Sequence, residues 1–391
     1  MSEKLVKQTI GKIFNQLADT LISGEYGQKP KVAVTAAGSE HGEDEVFKAA
    51  VSAAKFGIEP TVIGTKSYEG ANTEIVVSED DAHKKMEELL DSGKVDAAVT
   101  MHYPFPIGVS TVGRIVTPGK GRGMFIATTT GTSSTDKVEG MVKNAIYGII
   151  TAKACGIKNP TVGILNIDGA RQAEIALNKL KNNGYEINFA ESARADGGAV
   201  MRGNDLLTGS ADVMVMDSLT GNLMIKIFSS YTTGGSYESL GYGYGPGIGE
   251  NFNKLILIIS RASGAPLIEG AIKYAGDLIK GNCIQIAKEE FDKAKKAGID
   301  SILSEIKAAK KPQAEDEEVA APQKEVVTSQ ISGIEIMDLE DAVKLLWKNS
   351  VYAESGMGCT GPIILVSEAK TNDALKILAD NNFIAKEQVD C

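Results

Sequence analysis

Histidine is scarce, at 3 residues in 391, which argues against a mechanism that leans on several imidazoles. Cysteine is also thin. Cys155, Cys283, Cys359 and Cys391 are scattered without a C-x-x-C pair, so neither a zinc signature nor a disulfide framework is present. The thiols are those of a protein kept reduced in the cytoplasm. No apolar run reaches the ~20 residues that a spanning helix needs, and Met1–Lys7 is charged, without a signal-peptide h-region. A membrane partner is therefore not expected. Basic excess is missing too: the formal net charge is −10, which speaks against nucleic acid. No metal-ligand spacing and no cofactor motif stands out. The loop Thr117–Gly123 (T-P-G-K-G-R-G) has glycines and cations but lacks the Walker spacing and its terminal Ser/Thr.

What is present is organised around Ala211–Ser230, A-D-V-M-V-M-D-S-L-T-G-N-L-M-I-K-I-F-S-S. Val213–Met216 reads as a buried strand that Asp217 ends. Thr220, Gly221 and Asn222 form a polar corner, and helical spacing starts at Leu223. A helix start offers unpaired N–H groups and a positive dipole end, and Gly221 lets a ligand approach the backbone. The corner is either a seat for phosphate or an acyl oxyanion, or an ordinary βα turn capped by Thr220.

Elsewhere the pattern alternates. Ser2–Ile22 is an amphipathic packing helix. Strands are predicted at Lys31–Ala36, Thr61–Ile63, Val95–Thr100, Gly123–Ala127, Thr161–Asn166, Ile187–Phe189 and Leu255–Ser260. Helices are predicted near Glu43–Phe56, Asp80–Asp91, Val138–Cys155, Ala170–Lys181, Cys283–Lys296 and Ser301–Ala309, and another is opened by Gly264-Ala265-Pro266-Leu267, with proline in its first turn. Ser110 and Thr111 fall at an expected helix start, with Arg114 within one turn, a set that suits phosphate oxygens. Thr232–Glu250, rich in Gly and Tyr, reads as a loop, either a lid or a disordered insertion. His83 is expected on a solvated helix face. Lys310–Ser329 is charged and proline-bearing, which makes residues 310–333 a linker between a body at 1–309 and a small cysteine-containing module at 334–391. The alternation predicts an α/β fold with a mostly parallel sheet. Sites in such sheets lie at carboxyl ends of strands, so the corners at Ser110, Asp217 and Arg261 are expected to converge.

Four segments occur in order: G-K-V-D-A-A-V-T, N-P-T-V-G-I-L-N-I, A-D-V-M-V-M-D-S-L-T-G-N and G-A-P-L-I-E-G. With them the chain resembles the phosphate acyltransferase family of phospholipid synthesis, from about Lys31 to Gly281. With the appended module it resembles the alpha (small) subunits of component C of the glycine/sarcosine/betaine reductase complex. The resemblance implies an isocitrate/isopropylmalate dehydrogenase-like (phosphotransacetylase-like) sheet. It implies release of acetyl phosphate from an acetyl thioester by inorganic phosphate. It also implies two partners, a larger ketoacyl-synthase-like subunit and the selenoprotein component; a homo-oligomer is compatible with it. Gly276–Gly281 (G-D-L-I-K-G) is similar to a phosphotransacetylase motif, with Ile279 and Lys280 where that motif has Ser and Arg. Two alternatives stay open: an acyl-carrier-protein:phosphate acyltransferase, and a non-catalytic scaffold subunit.

Phosphate dianion is already a nucleophile, so the site must only hold it and stabilise an oxyanion. The expected contacts are Thr220, Gly221 and Asn222, with Ser110, Thr111 and Arg114 as a second clamp. Asp217 orients the loop, or accepts from an arginine or from backbone N–H groups. Arg261 and Lys280 are further candidates for neutralising charge. Cys359 sits among Gly356, Gly358, Gly361 and Pro362. It is either an acyl-carrying thiol whose neighbouring N–H groups lower its pKa, or an incidental thiol in a tight turn.

Overall fold

The computed structural model describes residues 11, 13–15, 17–18, 21, 29–193, 197–309, 319–334, 338–358, 361–381 and 383–384. Its first half builds the strands β1 (Lys31–Thr35), β2 (Glu59–Gly64), β3 (Asn72–Ile75) and β4 (Ala97–Thr100), with the helices α1 (Glu43–Ala54) and α2 (Glu79–Asp91) between them. A long hairpin follows, β5 (Val109–Val116) and β6 (Gly123–Thr132). Helix α3 (Lys137–Ala154), strand β7 (Thr161–Leu165), helix α4 (Ala170–Asn182) and the short strands β8 (Asn188–Phe189) and β9 (Val200–Met201) come next. Then come α5 (Gly203–Thr208), β10 (Val213–Val215), α6 (Ser218–Ser230), β11 (Gly245–Ile248), β12 (Ile256–Ile258), α7 (Ala265–Lys280), α8 (Cys283–Lys296) and α9 (Ile299–Ala309).

Twelve strands form one sheet, ordered β3-β2-β1-β4-β12-β11-β5-β6-β10-β7-β8 with β9 beside β7. Most neighbours are parallel, as the alternation predicts, but β11 is antiparallel to both β12 and β5, and β5 to β6. Two reversals leave β5 pointing the way β12 does, and the third turns β6, β10 and β7 the other way. The carboxyl ends of the two parallel halves therefore open on opposite edges of the sheet. The apolar faces of α1, α3, α4, α7 and α8 cover one side in a continuous core around Val34, Val99, Val162 and Val213. Helix α2 covers the other side of the first half, and α6 the other side of the second.

Several expectations are corrected. Gly245–Ile248, inside the expected loop or lid, is a buried strand in the middle of the sheet. The glycines that make it look like a loop are required by packing. A Cβ on Gly245 would lie 1.7 Å from the Val112 carbonyl oxygen, and one on Gly247 2.4 Å from the Phe105 ring. Ser110 and Thr111 lie on β5 and not at a helix start, because V-S-T-V-G-R-I-V pairs with β6 over its length. His83 is half-buried, its Nε2 3.3 Å from Thr100 Oγ1. In the N-terminal segment, the described apolar residues Ile13, Phe14, Leu17 and Leu21 are exposed and do not pack.

A second, three-stranded sheet pairs β13 (Ser329–Ser332), β15 (Gly361–Val366) and β14 (Ala353–Gly358), with α10 (Leu339–Lys348) and α11 (Thr371–Asp380) beside it. It has its own core around Ile331, Leu346, Ile364 and Leu378. Ser329–Ser332 lies within the stretch expected as linker. It is drawn into the sheet because Ile331 alternates with polar neighbours and pairs opposite Ile364. Gln172 on α4 donates to Asp338 at 2.7 Å, one hydrogen bond between the small unit and the body.

Candidate functional site

The carboxyl ends of β6 and β10 lie side by side, with Val215 opposite Ala127. From here α3 leaves to one face of the sheet and α6 to the other. A crevice forms where neighbouring strands send their helices to opposite faces, and both helices start at it. Each is capped by an aspartate. Asp136 accepts from the Glu139 amide at 2.9 Å, and Asp217 from the Thr220 amide at 2.9 Å.

The stretch D-S-L-T-G-N builds the start of α6 residue by residue. The helix begins at Ser218, earlier than Leu223, because Asp217 and not Thr220 is the N-cap. Thr220 Oγ1 donates to the other Asp217 oxygen at 2.9 Å, which holds the carboxylate in place. Gly221 lies where the helix meets β6, and a Cβ there would be 1.7 Å from the Thr128 carbonyl oxygen. Asn222 Nδ2 donates to the Thr129 carbonyl at 3.1 Å. Gly221 and Asn222 thus pin the helix to the end of β6, while Asp217 and Thr220 cap it. No described residue accepts from the amides of Ser218 and Leu219, so the first two N–H groups stay open. Thr220 and Asn222 are half-buried, so the corner opens to solvent.

Ser110 and Thr111 belong to the same end of the sheet but are fully buried. Ser110 Oγ donates to Asn144 Oδ1 at 3.2 Å, and Asn144 Nδ2 donates to the Met216 carbonyl at 3.1 Å, next to Asp217. The hydroxyls of Thr111 and Thr129 are 2.7 Å apart. Both residues brace the ends of β6 and β10 from inside the sheet and are not a phosphate clamp.

Arg114 is not part of a clamp either. It lies four residues further along β5, about 13 Å away. Its guanidinium stacks 4.4 Å from the Tyr242 ring centroid and pairs with Asp277 at 3.1 Å. Lys280 lies in the last turn of that same helix, α7. Arg261 follows β12 and pairs with Glu79 at 2.6 Å. The strand reversals put the Arg261 corner on the edge opposite Asp217, so the three corners do not converge. Cys359 and Cys391 lie outside the described residues.

The hydroxyl run Thr128–Ser134 (T-T-T-G-T-S-S) was missed in the sequence. Its signal is there, seven small residues directly after the apolar M-F-I-A of β6. A cleft of about 320 Å³ adjoins this end of the sheet, lined by Val109, Lys143, Tyr147, Glu250, Phe252 and Lys295 among others. Among the described residues no His, Cys, Asp or Glu cluster could hold a metal, and no helix is long and apolar enough to cross a membrane.

The two described cysteines are inert. Burial pushes the thiols of Cys155 and Cys283 up to about 12 each. Both are therefore overwhelmingly in the unreactive thiol form near neutral pH. Peptide mass spectrometry after iodoacetamide treatment should find both unmodified after Cys359 has reacted. Fast labelling of Cys283 would contradict its burial.

The chain matches the model of the fatty acid synthesis protein family over residues 30–365. It is 60% identical to the glycine/sarcosine/betaine reductase complex component C subunit alpha of Peptoclostridium acidaminophilum, over 97% of this chain and 99% of that one. It is 30% identical to the phosphate acyltransferase of Staphylococcus epidermidis over 38% of this chain and 48% of that protein. A branched-chain phosphotransacylase from Enterococcus faecalis superimposes with a TM-score of 0.44 at 14% identity, covering 64% of this chain and 99% of that one.

Proposed function

The chain belongs to the fatty acid synthesis protein family, and from that premise we propose that it releases acetyl phosphate from an enzyme-bound acetyl thioester by attack of inorganic phosphate, as a component C subunit of a glycine reductase complex. The relative at 60% identity supports the assignment to such a complex. The observation that carries the chemistry is the start of α6, where two unengaged amides are held rigid by Asp217, Gly221 and Asn222. A phosphate oxygen seated there is positioned by fixed dipoles that need no reorganisation. Thr132, exposed at the end of β6, and Lys137, in the first turn of α3 and paired with Asp168 at 3.1 Å, are the further contacts proposed for the seat. Cys359, carried on the small unit, accepts the acetyl group and presents it to phosphate. The larger ketoacyl-synthase-like subunit and the selenoprotein component are the proposed partners, and the cytoplasm the proposed compartment.

Arsenate tests this directly, because an acyl arsenate hydrolyses at once. The purified protein, with its larger subunit, should hydrolyse acetyl phosphate only when arsenate is present, and should prefer acetyl over long acyl chains. Asp217→Asn separates capping from charge. Asparagine caps as well as aspartate but does not repel phosphate, so the KM for phosphate should fall while the melting temperature holds. No arsenate-dependent turnover in the presence of both subunits removes the catalytic assignment. An unchanged KM in Asp217→Asn moves phosphate away from α6.

A further inference from the structure

Asp338 stands at the N-cap position of α10, where an aspartate ordinarily accepts from an amide of the first turn. It makes no such bond. Its carboxylate instead accepts from Gln172 Nε2 at 2.7 Å, between the small unit and the body. Gln172 is under-satisfied as well, because its Oε1 is buried without a partner among the described residues. Among the described residues no core cluster contains side chains of both units. A polar contact of this kind opens readily. On release, Asp338 is free to cap α10 and Gln172 Oε1 returns to water.

Both ends of this bond lie toward the proposed reaction. Gln172 is in the first turn of α4, which follows β7, and Ile164 of β7 pairs with Val215 of β10, just before Asp217. In the turn between β7 and α4, Asp168 pairs with Lys137 of the proposed seat at 3.1 Å. In the small unit, α10 runs antiparallel to β14. Trp347 Nε1 donates to the Ala353 carbonyl at 2.9 Å near one end, and Ser355 Oγ donates to Glu340 Oε1 at 3.3 Å near the other. The start of α10 therefore lies toward Gly358, which is about 10 Å along β14 from Ser355. Gly358, paired with Gly361, is the last described residue before Cys359.

We propose that Asp338 and Gln172 form a latch that docks the small unit reversibly beside the phosphate crevice. The latch is engaged when the acetyl group is handed to phosphate and open when it is collected from the donor. One thiol that serves two partners needs two positions. One carboxylate with two alternative donors, the amides of α10 or the amide of Gln172, supplies the switch between them. Gln172 and Asp338 are positioning residues, and neither touches the acetyl group. The role in transfer rests on the reaction proposed above, whereas the two states of the latch do not.

The test uses the full chain. Gln172→Glu sets two carboxylates against each other and opens the latch. Asp338, once freed, caps α10, so hydrogen–deuterium exchange at the Glu340 and Asp341 amides should slow about fivefold, while the first turn of α4 exchanges faster. Loss of a merely structural contact would quicken exchange at both. In single-turnover assays on protein acetylated beforehand at Cys359, release of acetyl phosphate should fall about tenfold, with the rate of acetylation by the donor unchanged. Gln172→Glu with Asp338→Asn reverses donor and acceptor and should restore both the exchange and the release. Docking itself is read in a chain with Cys359→Ser and Cys391→Ser, where Gln172→Cys and Asp338→Cys should be joined within one chain by a short bis-maleimide. Absence of that cross-link overturns the latch, and so does exchange at α10 that quickens or stays as in the parent in Gln172→Glu. Unchanged release of acetyl phosphate in Gln172→Glu overturns its role in transfer. If no form of the protein makes acetyl phosphate, the transfer reaction falls, and exchange and cross-linking still decide the latch.

Discussion

Gly221→Ala is expected to cost about 3 kcal/mol or more of stability and to abolish transfer to phosphate. The added methyl would sit 1.7 Å from the Thr128 carbonyl oxygen, which is backbone and cannot swing aside. The start of α6 must then lift from β6 by more than an ångström. That breaks the Asn222 bond to the Thr129 carbonyl and turns the Ser218 and Leu219 amides away from the crevice. Urea unfolding measures the first effect and arsenate-dependent hydrolysis of acetyl phosphate the second. Gly203→Ala is the matched control at another helix start. Nothing lies within 4 Å of a Cβ there, so its stability should change by no more than about 0.5 kcal/mol. If Gly221→Ala behaves like Gly203→Ala, the helix does not sit on β6 as described.

Cys359→Ala is expected to lower formation of acetyl phosphate by the assembled complex about 1,000-fold or more. In the proposed path the Cys359 thiolate attacks the acetyl carbonyl of the donor thioester. A new carbon–sulphur bond forms as the donor thiolate leaves, nearly without change in energy. A phosphate oxygen then attacks the same carbonyl, the oxyanion collapses, and the Cys359 thiolate is expelled. Alanine has no atom to hold the acetyl group between the two steps. Cys359→Ser tests the same point differently. An alcohol is a far weaker nucleophile at neutral pH, and its oxygen ester, once formed, is a poor donor to phosphate, so acetylated protein should accumulate in the mass spectrum. Full activity of Cys359→Ala means that phosphate takes the acetyl group directly from the donor thioester. The surroundings of half-buried Cys155 and buried Cys283 matter here, because desolvation holds both thiols protonated and leaves neither of them fit to substitute for the missing thiol.

The two results are separable. Gly221→Ala acts on the phosphate seat and on the fold, whereas Cys359→Ala should leave the unfolding transition unchanged. Loss of activity in the first with retention in the second would keep the crevice and discard the acyl carrier.

Local signals determined much of this protein without any tertiary structure. Apolar runs and helical spacing located Lys31–Thr35 and Cys283–Lys296 nearly to the residue, and proline marked where the helix at Ala265 starts, because strand and helix periods are written in neighbours. The D-x-x-T-G-N element was legible as a helix start for the same reason. What its residues do there was decided elsewhere. Gly221 is glycine because a distant strand, β6, presses against it, and Asn222 is asparagine because the Thr129 carbonyl lies within its reach. Ser110 and Thr111 looked like ligands and are braces, since only strand pairing shows that they are buried. Gly245–Ile248 looked like a loop and is a central strand, since its glycines answer to Val112 and Phe105, over a hundred residues earlier. Above all, the separation of Arg261 from Asp217 follows from three antiparallel pairings across the sheet. Strand direction is a property of which segments hydrogen-bond to which, and no stretch of sequence carries it alone.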